Sequence, residues 1–340
     1  MGEALDAVTQ RDGSGPHAVD AIAIGRNEGT RLVECLASLR RAGVRRIVYV
    51  DSGSTDGSVL AAEAAGAQVV LLDMARPFTA ARARNAGLAA IMAHPEPPGY
   101  VQMIDGDCIL QPDWLDQARD FLDAHPAVVV VCGRRRERFP GVSVFNRLCD
   151  AEWNTPVGES LACGGDALMR LPALAASGGY REDLIAGEEP ELCLRLRRAG
   201  GTVWRLDAEM TLHDAAMTRL GQWWRRTRRA GHAFAEGAAL HGAPPDRHWV
   251  AEARRALLWG VALPLAILLA ALVSPALALL LALAYPAQIL RLAARRGLSD
   301  RLSWDIALFA VLGRFAEAQG VLSYLLNRLR GRRAGLIEYK

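Results

Sequence analysis

The 340-residue chain has only six cysteines, Cys35, Cys108, Cys132, Cys149, Cys163 and Cys193, and no C-x-x-C pair among them. No histidine flanks them at zinc-site spacing, so they read as dispersed, reduced thiols of a cytosolic domain. Net charge is nearly lacking as well: 40 basic against 37 acidic side chains leave +3, which argues against a wholesale nucleic-acid binder. The 32 glycines and 16 prolines are too few for collagen and too unperiodic for a linker protein. The first twenty residues hold no apolar signal core, so secretion of the front of the chain is not expected. Charge is missing altogether from Ala256 to Leu290, a run of 35 positions, where about 20 suffice for one membrane-spanning helix.

What charge there is divides unevenly. Residues 1–214 carry 22 basic and 30 acidic side chains; residues 215–340 carry 18 and 7. An acidic front and a basic rear suit different surroundings, a chemical module and a membrane-facing one. Ser274-Pro275 near the middle of the uncharged run predicts a transmembrane helical hairpin over 256–290. Arg254 and Arg255 on one side and Arg291, Arg295 and Arg296 on the other place both its ends in the cytoplasm. The segment 304–328 contains Asp305, Arg314 and Glu317 and reads as an amphipathic, interfacial helix. Residues 329–340 read as a basic tail for anionic headgroups, residues 1–19 as a flexible tail, and 236–255 as a linker.

Between these tails, strand and helix signals alternate. Short β-branched runs at Ala21–Ile24, Ile47–Val50, Gln68–Leu72, Tyr100–Ile104 and Ala127–Cys132 are separated by helical patterns near 30–42, 58–65, 80–93 and 114–124. This order predicts an α/β domain over 20–235 with a mostly parallel central sheet and helices on both faces. Ligands of such sheets bind beyond the carboxyl ends of the strands. Three polar clusters fall there: Asn27-Glu28, Asp51 with Asp56, and Asp105 with Asp107.

Asp105-Gly106-Asp107 is the sharpest of them. Two carboxylates one residue apart at a strand end can share Mg²⁺ or Mn²⁺, and the ion can neutralise a departing nucleoside diphosphate. Asp51 can accept hydrogen bonds from a ribose or base, whereas Asp56 or Thr55 suits an ordinary helix cap. Arg82 or Arg84 can face a phosphate and Asn85 a sugar or base. Glu188-Glu189, after Gly187, could take a proton from an acceptor hydroxyl, or could simply complement a helix N-terminus. His213, just after a predicted strand, is either a third metal ligand or a partly buried structural histidine. In Gln222-Trp223-Trp224-Arg225-Arg226, Arg225 can pair with a diphosphate, and the tryptophans can stack on a sugar or anchor at a membrane surface.

Taken in order, these residues resemble family 2 glycosyltransferases. Ile24-Gly25-Arg26-Asn27-Glu28 is similar to that family's first strand and Y-N-E turn, with Arg for Tyr. Val50-Asp51-Ser52-Gly53-Ser54-Thr55-Asp56 resembles its D-D-G-S-T-D loop, Ala83-Arg84-Asn85-Ala86-Gly87 its A-R-N-x-G, and Asp105-Gly106-Asp107 its D-x-D. Gly164-Gly165 resembles the acceptor-side G-G loop, and Gly187-Glu188-Glu189-Pro190-Glu191-Leu192 resembles G-E-D-x-E-L, with Glu189 where the base aspartate stands. The Gln222 stretch is similar to Q-x-x-R-W of processive synthases, with Arg226 replacing the tryptophan, which favours a single transfer.

The resemblance implies a GT-A, Rossmann-like nucleotide-sugar fold followed by C-terminal membrane-associated helices. It implies Asn27, Glu28, Asp51, Arg84, Asn85, Asp105 and Arg225 as donor-binding residues and Asp105, Asp107 and His213 as ligands of a divalent cation. It further implies Glu189, with Glu188 as alternate, as the base, and Gly164, Gly165, Trp223 and Trp224 on the acceptor side. The expected activity is inverting, metal-dependent transfer from a UDP-sugar to a lipid-linked or saccharide acceptor. It would take place among membrane lipids at the cytoplasmic face of the inner or plasma membrane, with no nucleic-acid partner. The alternatives are a non-catalytic nucleotide-sugar-binding scaffold and a nucleotidyltransferase, for which Gly25-Arg26-Asn27-Glu28 is a poor signature.

Overall fold

Strand β1 (Val19–Gly25) is apolar on both faces except at Asp20, whose fully buried carboxylate is clamped by Arg45 at 2.9 Å and Arg46 at 2.6 Å. A strand with this pattern belongs in the middle of a parallel sheet, where both faces are covered. The structure, a computed structural model, describes residues 17–331. Most of the expected 1–19 and 329–340 tails therefore lies outside the described residues, and Val19 already belongs to a strand.

The front half follows the expected alternation: β1, α1 (Thr30–Arg41), β2 (Ile47–Asp51), α2 (Ser58–Ala64), β3 (Gln68–Leu71), α3 (Ala80–Met92) and β4 (Tyr100–Asp105). Helix α1 buries Leu32, Cys35, Leu36 and Leu39, the apolar stripe visible in its sequence. Then come β5 (Cys108–Leu110), α4 (Trp114–Ala124), β6 (Val128–Glu137), α5 (Val144–Glu152), β7 (Gly158–Ser160), β8 (Ala167–Arg170), α6 (Leu171–Ala176), α7 (Glu188–Arg198) and β9 (Thr202–His213).

The nine strands form one sheet in the order β3-β2-β1-β4-β8-β6-β9-β5, with β7 also on β9. The expectation of a mostly parallel sheet needs correction. Pairs β1–β2, β1–β4, β2–β3 and β6–β9 are parallel, whereas β4–β8, β6–β8, β5–β9 and β7–β9 are antiparallel. The cause is local: the loop before β8 arrives at the carboxyl end of β4, so β8 runs back along it, with Met103 opposite Ala167 and Tyr100 opposite Arg170. That entry sets Asp166 beside Asp105. Strands β6 and β9 also run further than their apolar cores, through Arg134–Glu137 and Glu209–His213. His213 is thus the last residue of a strand.

The rear is helical. Helix α8 (Leu220–His241) continues six residues into the expected linker, and only 242–249 separates it from the next helix. Helices α9 (Val250–Val273), α10 (Pro275–Arg296) and α11 (Arg301–Leu329) are each long and apolar enough to cross a membrane. The break between the first two falls at Ser274-Pro275, as expected, because the Ser274 hydroxyl accepts from Leu277 N and proline suits a first helical turn. Leu268, Leu272, Leu279 and Leu280 on these helices stand exposed, and Leu272 retains 84% of its accessible surface. So many outward leucines call for an apolar cover.

Helix α11 corrects the interfacial expectation for 304–328 in one respect. It buries a stripe of small residues that includes Ala307, Gly313, Ala316 and Gly320. That stripe lies on α8 so closely that a Cβ at Gly231 would fall 2.1 Å from the Glu317 carbonyl oxygen, and one at Gly320 would fall 2.1 Å from that of Arg228. Only glycine permits two helix backbones to approach in this way.

Candidate active site

The carboxyl ends of β1, β2 and β4 open onto a cavity of about 520 Å³. Its walls include Arg26, Asn27, Glu28, Arg31, Ser52, Phe78, Asp105, Asp107, His213 and Arg229. The guanidinium of Arg26 lies 4.6 Å from the centre of the Phe78 ring, so the position where tyrosine was expected still meets an aromatic surface.

Asn27 has a positive φ of 56°, the left-handed region that asparagine tolerates better than most residues. Its Oδ1 accepts from Thr55 N at 2.7 Å and its own N–H donates to Ser54 Oγ at 2.9 Å, which ties the turn after β1 to the loop after β2. Glu28 pairs with Arg31 at 2.7 Å.

Asp51 is buried and fully engaged by its surroundings. Its Oδ2 accepts from Gly53 N and Ser54 N at 2.9 and 2.8 Å, and its Oδ1 from Tyr49 OH at 2.9 Å. It does not line the cavity; Ser52 does. Its carboxylate shapes the loop after β2. Asp56 accepts from Ser58 N and Oγ at 3.1 and 2.6 Å just ahead of α2, whose N-cap position falls instead on Gly57, with no side-chain cap.

The two carboxylates of the D-x-D motif part company. Asp105 Oδ1 accepts from Arg84 Nη2 and its Oδ2 from Arg135 Nη2, both at 2.9 Å. Burial disfavours its charge, yet the two guanidiniums outweigh that and hold its carboxyl well below the usual range. Arg135 also binds Asp166 at 2.7 Å, and Asp166 in turn accepts from Thr211 Oγ1 at 2.8 Å and Asp105 N at 3.0 Å. Gly165 is what lets this network close, since a Cβ there would lie 2.8 Å from Asp105 Oδ2. Both Asp105 oxygens are held by arginines, and its ligand atom also falls within 4.8 Å of those of Cys108 and Asp166.

Asp107 and His213 are placed for a metal ion. His213 Nε2 lies 3.4 Å from Asp107 Oδ2, and ligand atoms of Asp107, Cys108 and His213 all fall within 4.8 Å of one another. Burial, with Arg135 adding to it, pushes the His213 pKa down to about 4, so the imidazole is neutral, the form that binds metals. Its buried Nδ1 has no hydrogen-bond partner, and Glu137 Oε2 lies 4.0 Å away. The donor set of one carboxylate and one neutral imidazole on the cavity wall fits a divalent ion that keeps positions open for phosphate oxygens.

Residues 21–157 match the model of the family described as "Glycosyl transferase family 2". A pre-mycofactocin glycosyltransferase of Mycobacterium tuberculosis is 27% identical over 261 residues, covering 72% of this chain and 52% of its own length. The succinoglycan biosynthesis protein ExoA of Rhizobium meliloti is 28% identical over 177 residues, covering 48% of this chain and 52% of its own. The chain thus spans about half the length of the curated relatives it matches. The mannosyltransferase PcManGT from Pyrobaculum calidifontis, solved in complex with GDP-Man and Mn²⁺, superposes with a TM-score of 0.59 at 21% identity over 89% of this chain and 86% of that one. At that identity the likeness establishes the GT-A fold.

The adjacent acids of α7 point to different partners. Glu188 Oε1 accepts from Arg84 Nη1 at 2.8 Å, so one arginine links α7 to Asp105. Glu189 Oε1 accepts from Cys163 N at 2.6 Å and from the thiols of Cys163 and Cys193, each at 3.0 Å. It sits behind the Gly164-Gly165 loop, outside the cavity lining, and burial pushes its pKa up.

The remaining candidates stand off the cavity lining. Asn85 bonds the backbone of Tyr180 through both ends of its amide, at 2.8 Å each, and thereby fixes a loop. Arg225 is exposed; Arg229, one turn further along α8, lines the cavity. Trp223 is buried with Phe145 and Phe309, and Trp224 donates to Gln319 Oε1 at 2.9 Å, so both hold α11 to the domain and offer no sugar platform. Arg82 caps backbone carbonyls of residues 73, 76 and 77.

The decisive residues that sequence reasoning missed are Arg135, Asp166, Arg31 and Arg229. Arg135 carried a signal: in an extended strand the middle of Arg134-Arg135-Arg136 faces opposite to its neighbours. Asp166 directly follows the Gly164-Gly165 pair.

Proposed function

We propose that this chain is a metal-dependent, inverting glycosyltransferase that moves a sugar from a UDP-sugar to a hydroxyl of a lipid-linked or surface-polysaccharide acceptor at the cytoplasmic face of a membrane. The observation that carries the reading is the convergence of Asp107 and a neutral His213 on one wall of a cavity at the strand ends of a family 2 domain. Asp107 and His213 would hold the divalent cation, which supplies charge neutralisation for the leaving diphosphate when bound. In this reading Asn27, Glu28 and Ser52 on the cavity wall hold the nucleoside, and Arg229 on that wall meets the phosphates. Arg84 and Arg135 keep Asp105 ionised and fixed.

Glu189 is the base of this reading. Glu188 is neutralised by Arg84, whereas no ion pair to Glu189 occurs among the described residues. A buried carboxylate with a raised pKa accepts a proton more readily than a salt-bridged one. Glu189 takes the acceptor hydroxyl proton, the oxygen attacks the anomeric carbon, and the sugar–phosphate bond breaks on the opposite face. The membrane setting is supported by α9, α10 and α11 and by arginines at both ends of the α9–α10 hairpin. A family relative named for succinoglycan biosynthesis supports the acceptor class.

The test is a thermal-shift panel of nucleotide sugars, GDP-mannose included, with and without Mn²⁺, followed by radiolabelled-donor turnover. A donor that binds only the folded state raises the melting temperature with the logarithm of its concentration. Asp107→Ala should abolish both the Mn²⁺-dependent shift and turnover. Full activity in that variant removes Asp107 and the mechanism built on it.

A further inference from the structure

Cys163, Glu189 and Cys193 come from a loop and a helix 26 residues or more apart, and yet they present three ligand atoms to one point. The Cys163 and Cys193 sulfurs are 3.6 Å apart, and each lies 3.0 Å from Glu189 Oε1. All three residues are buried, and their ligand atoms fall within 4.8 Å of one another. Neither thiol is in a disulfide.

We propose that this trio is a second metal site, distinct from Asp107 and His213, that takes one thiophilic divalent cation of the Zn²⁺ or Cd²⁺ class. The geometry is close to what such an ion needs. Tetrahedral zinc with Zn–S near 2.3 Å sets two sulfurs about 3.8 Å apart and a carboxylate oxygen about 3.5 Å from each. The sulfurs already stand at that spacing, and the carboxylate has to move about 0.5 Å. Two soft sulfur donors select zinc-class ions over Mg²⁺ and Mn²⁺, which prefer all-oxygen or oxygen–imidazole sets. Entry is short: Gly164, next to Cys163, is exposed and adopts a φ of +82°. On binding, the ion replaces the two S–H protons, which leave to solvent, and takes Glu189 Oε1 as third donor. The fourth position is open to water or to a fourth protein group. An ion there occupies the carboxylate assigned above as base, so a thiophilic ion inhibits transfer. That consequence rests on the proposed function; binding itself does not.

The test uses the full chain in detergent micelles with a phosphine reductant and saturating Mn²⁺ to fill the Asp107–His213 position. Cd²⁺ is titrated and the thiolate-to-cadmium ultraviolet band is followed. The expected result is a band that saturates at one equivalent with the intensity of two Cd–S bonds. Cys163→Ser and Cys193→Ser should each lose at least half of it, Glu189→Gln should bind more weakly, and Cys149→Ser and Cys108→Ser should keep it. Absence of the band overturns the proposal, as does a band that survives both Cys163→Ser and Cys193→Ser or disappears in Cys108→Ser. If a serine variant does not fold, proton release from the wild type decides: two protons per Zn²⁺ support the site, and one or none refutes it. Inhibition of turnover by one equivalent of Zn²⁺ is read separately, so an inactive protein that still binds Cd²⁺ as described retains the site and loses only the catalytic reading.

Discussion

Replacing Arg135 by methionine keeps most of the side-chain volume and removes one charge from a buried network. Asp105 retains its bond to Arg84, but Asp166 has no accessible surface and keeps only the Thr211 hydroxyl and one backbone N–H. A carboxylate stripped of its only close cation in such a place costs about 3–5 kcal/mol. For a domain of this size each kcal/mol moves the melting temperature by roughly 2–4 °C, so Arg135→Met should melt on the order of 10 °C lower. The assay is a tryptophan-fluorescence melt in detergent. The companion variant Arg135→Met/Asp166→Asn removes the orphaned charge and should recover about 2 kcal/mol of the loss, because replacing both members of a buried pair is far cheaper than breaking it. A melting point for Arg135→Met within about 2 °C of wild type, or a double variant as unstable as the two single losses added together, refutes the reasoning.

Arg229→Ala should raise the donor KM while Arg225→Ala leaves it near wild type, since only the former lines the cavity; steady-state kinetics with both variants separate them. Glu236 on α8 has its pKa pushed up to about 7 by burial, with Asp183 adding and Arg181 opposing. Its folded pKa lies above the unfolded value, so its stabilising contribution is complete near pH 4 and is lost as pH rises through about 7. Glu236→Gln should therefore match wild type at pH 5 and melt a few degrees higher at pH 8.5, the shift being bounded by about 3 kcal/mol before solvent screening. Gly320→Leu should separate α11 from α8, because its Cβ alone would meet the Arg228 carbonyl oxygen at 2.1 Å; protease sensitivity of the 297–301 connection should rise sharply in the folded variant.

Periodicity and composition were enough for the front of the domain, since β1, β2 and β4 are buried on both faces and are therefore largely apolar. Trp114–Ala124 was read to the residue, and β2 and α3 within one or two. The 133–170 region resisted, because β7 and β8 are only three or four residues long and because β6 runs on through three arginines that no apolar pattern announces. In the site, Asn27, Glu28, Asp105, Asp107 and His213, all singled out in the sequence, are found on the cavity wall. Asp51, Asn85, Trp223 and Trp224 are found off it, since a polar or aromatic side chain at a strand end or on a helix has several partners open to it, and only the surrounding chain selects one.

The sequence by itself determined which stretches are strands beneath a ligand-binding edge, where the acidic tips fall, and that the rear of the chain is too apolar for water. Such properties depend on neighbours along the chain, at periods of 2 and 3.6 residues. Tertiary structure alone decided that Arg84 and Arg135 claim Asp105, that Asp107 meets His213 across 106 positions, and that two distant thiols close on Glu189. Those pairings depend on where strands reverse and how closely backbones approach at Gly165, Gly231 and Gly320, and a one-dimensional pattern carries no record of either.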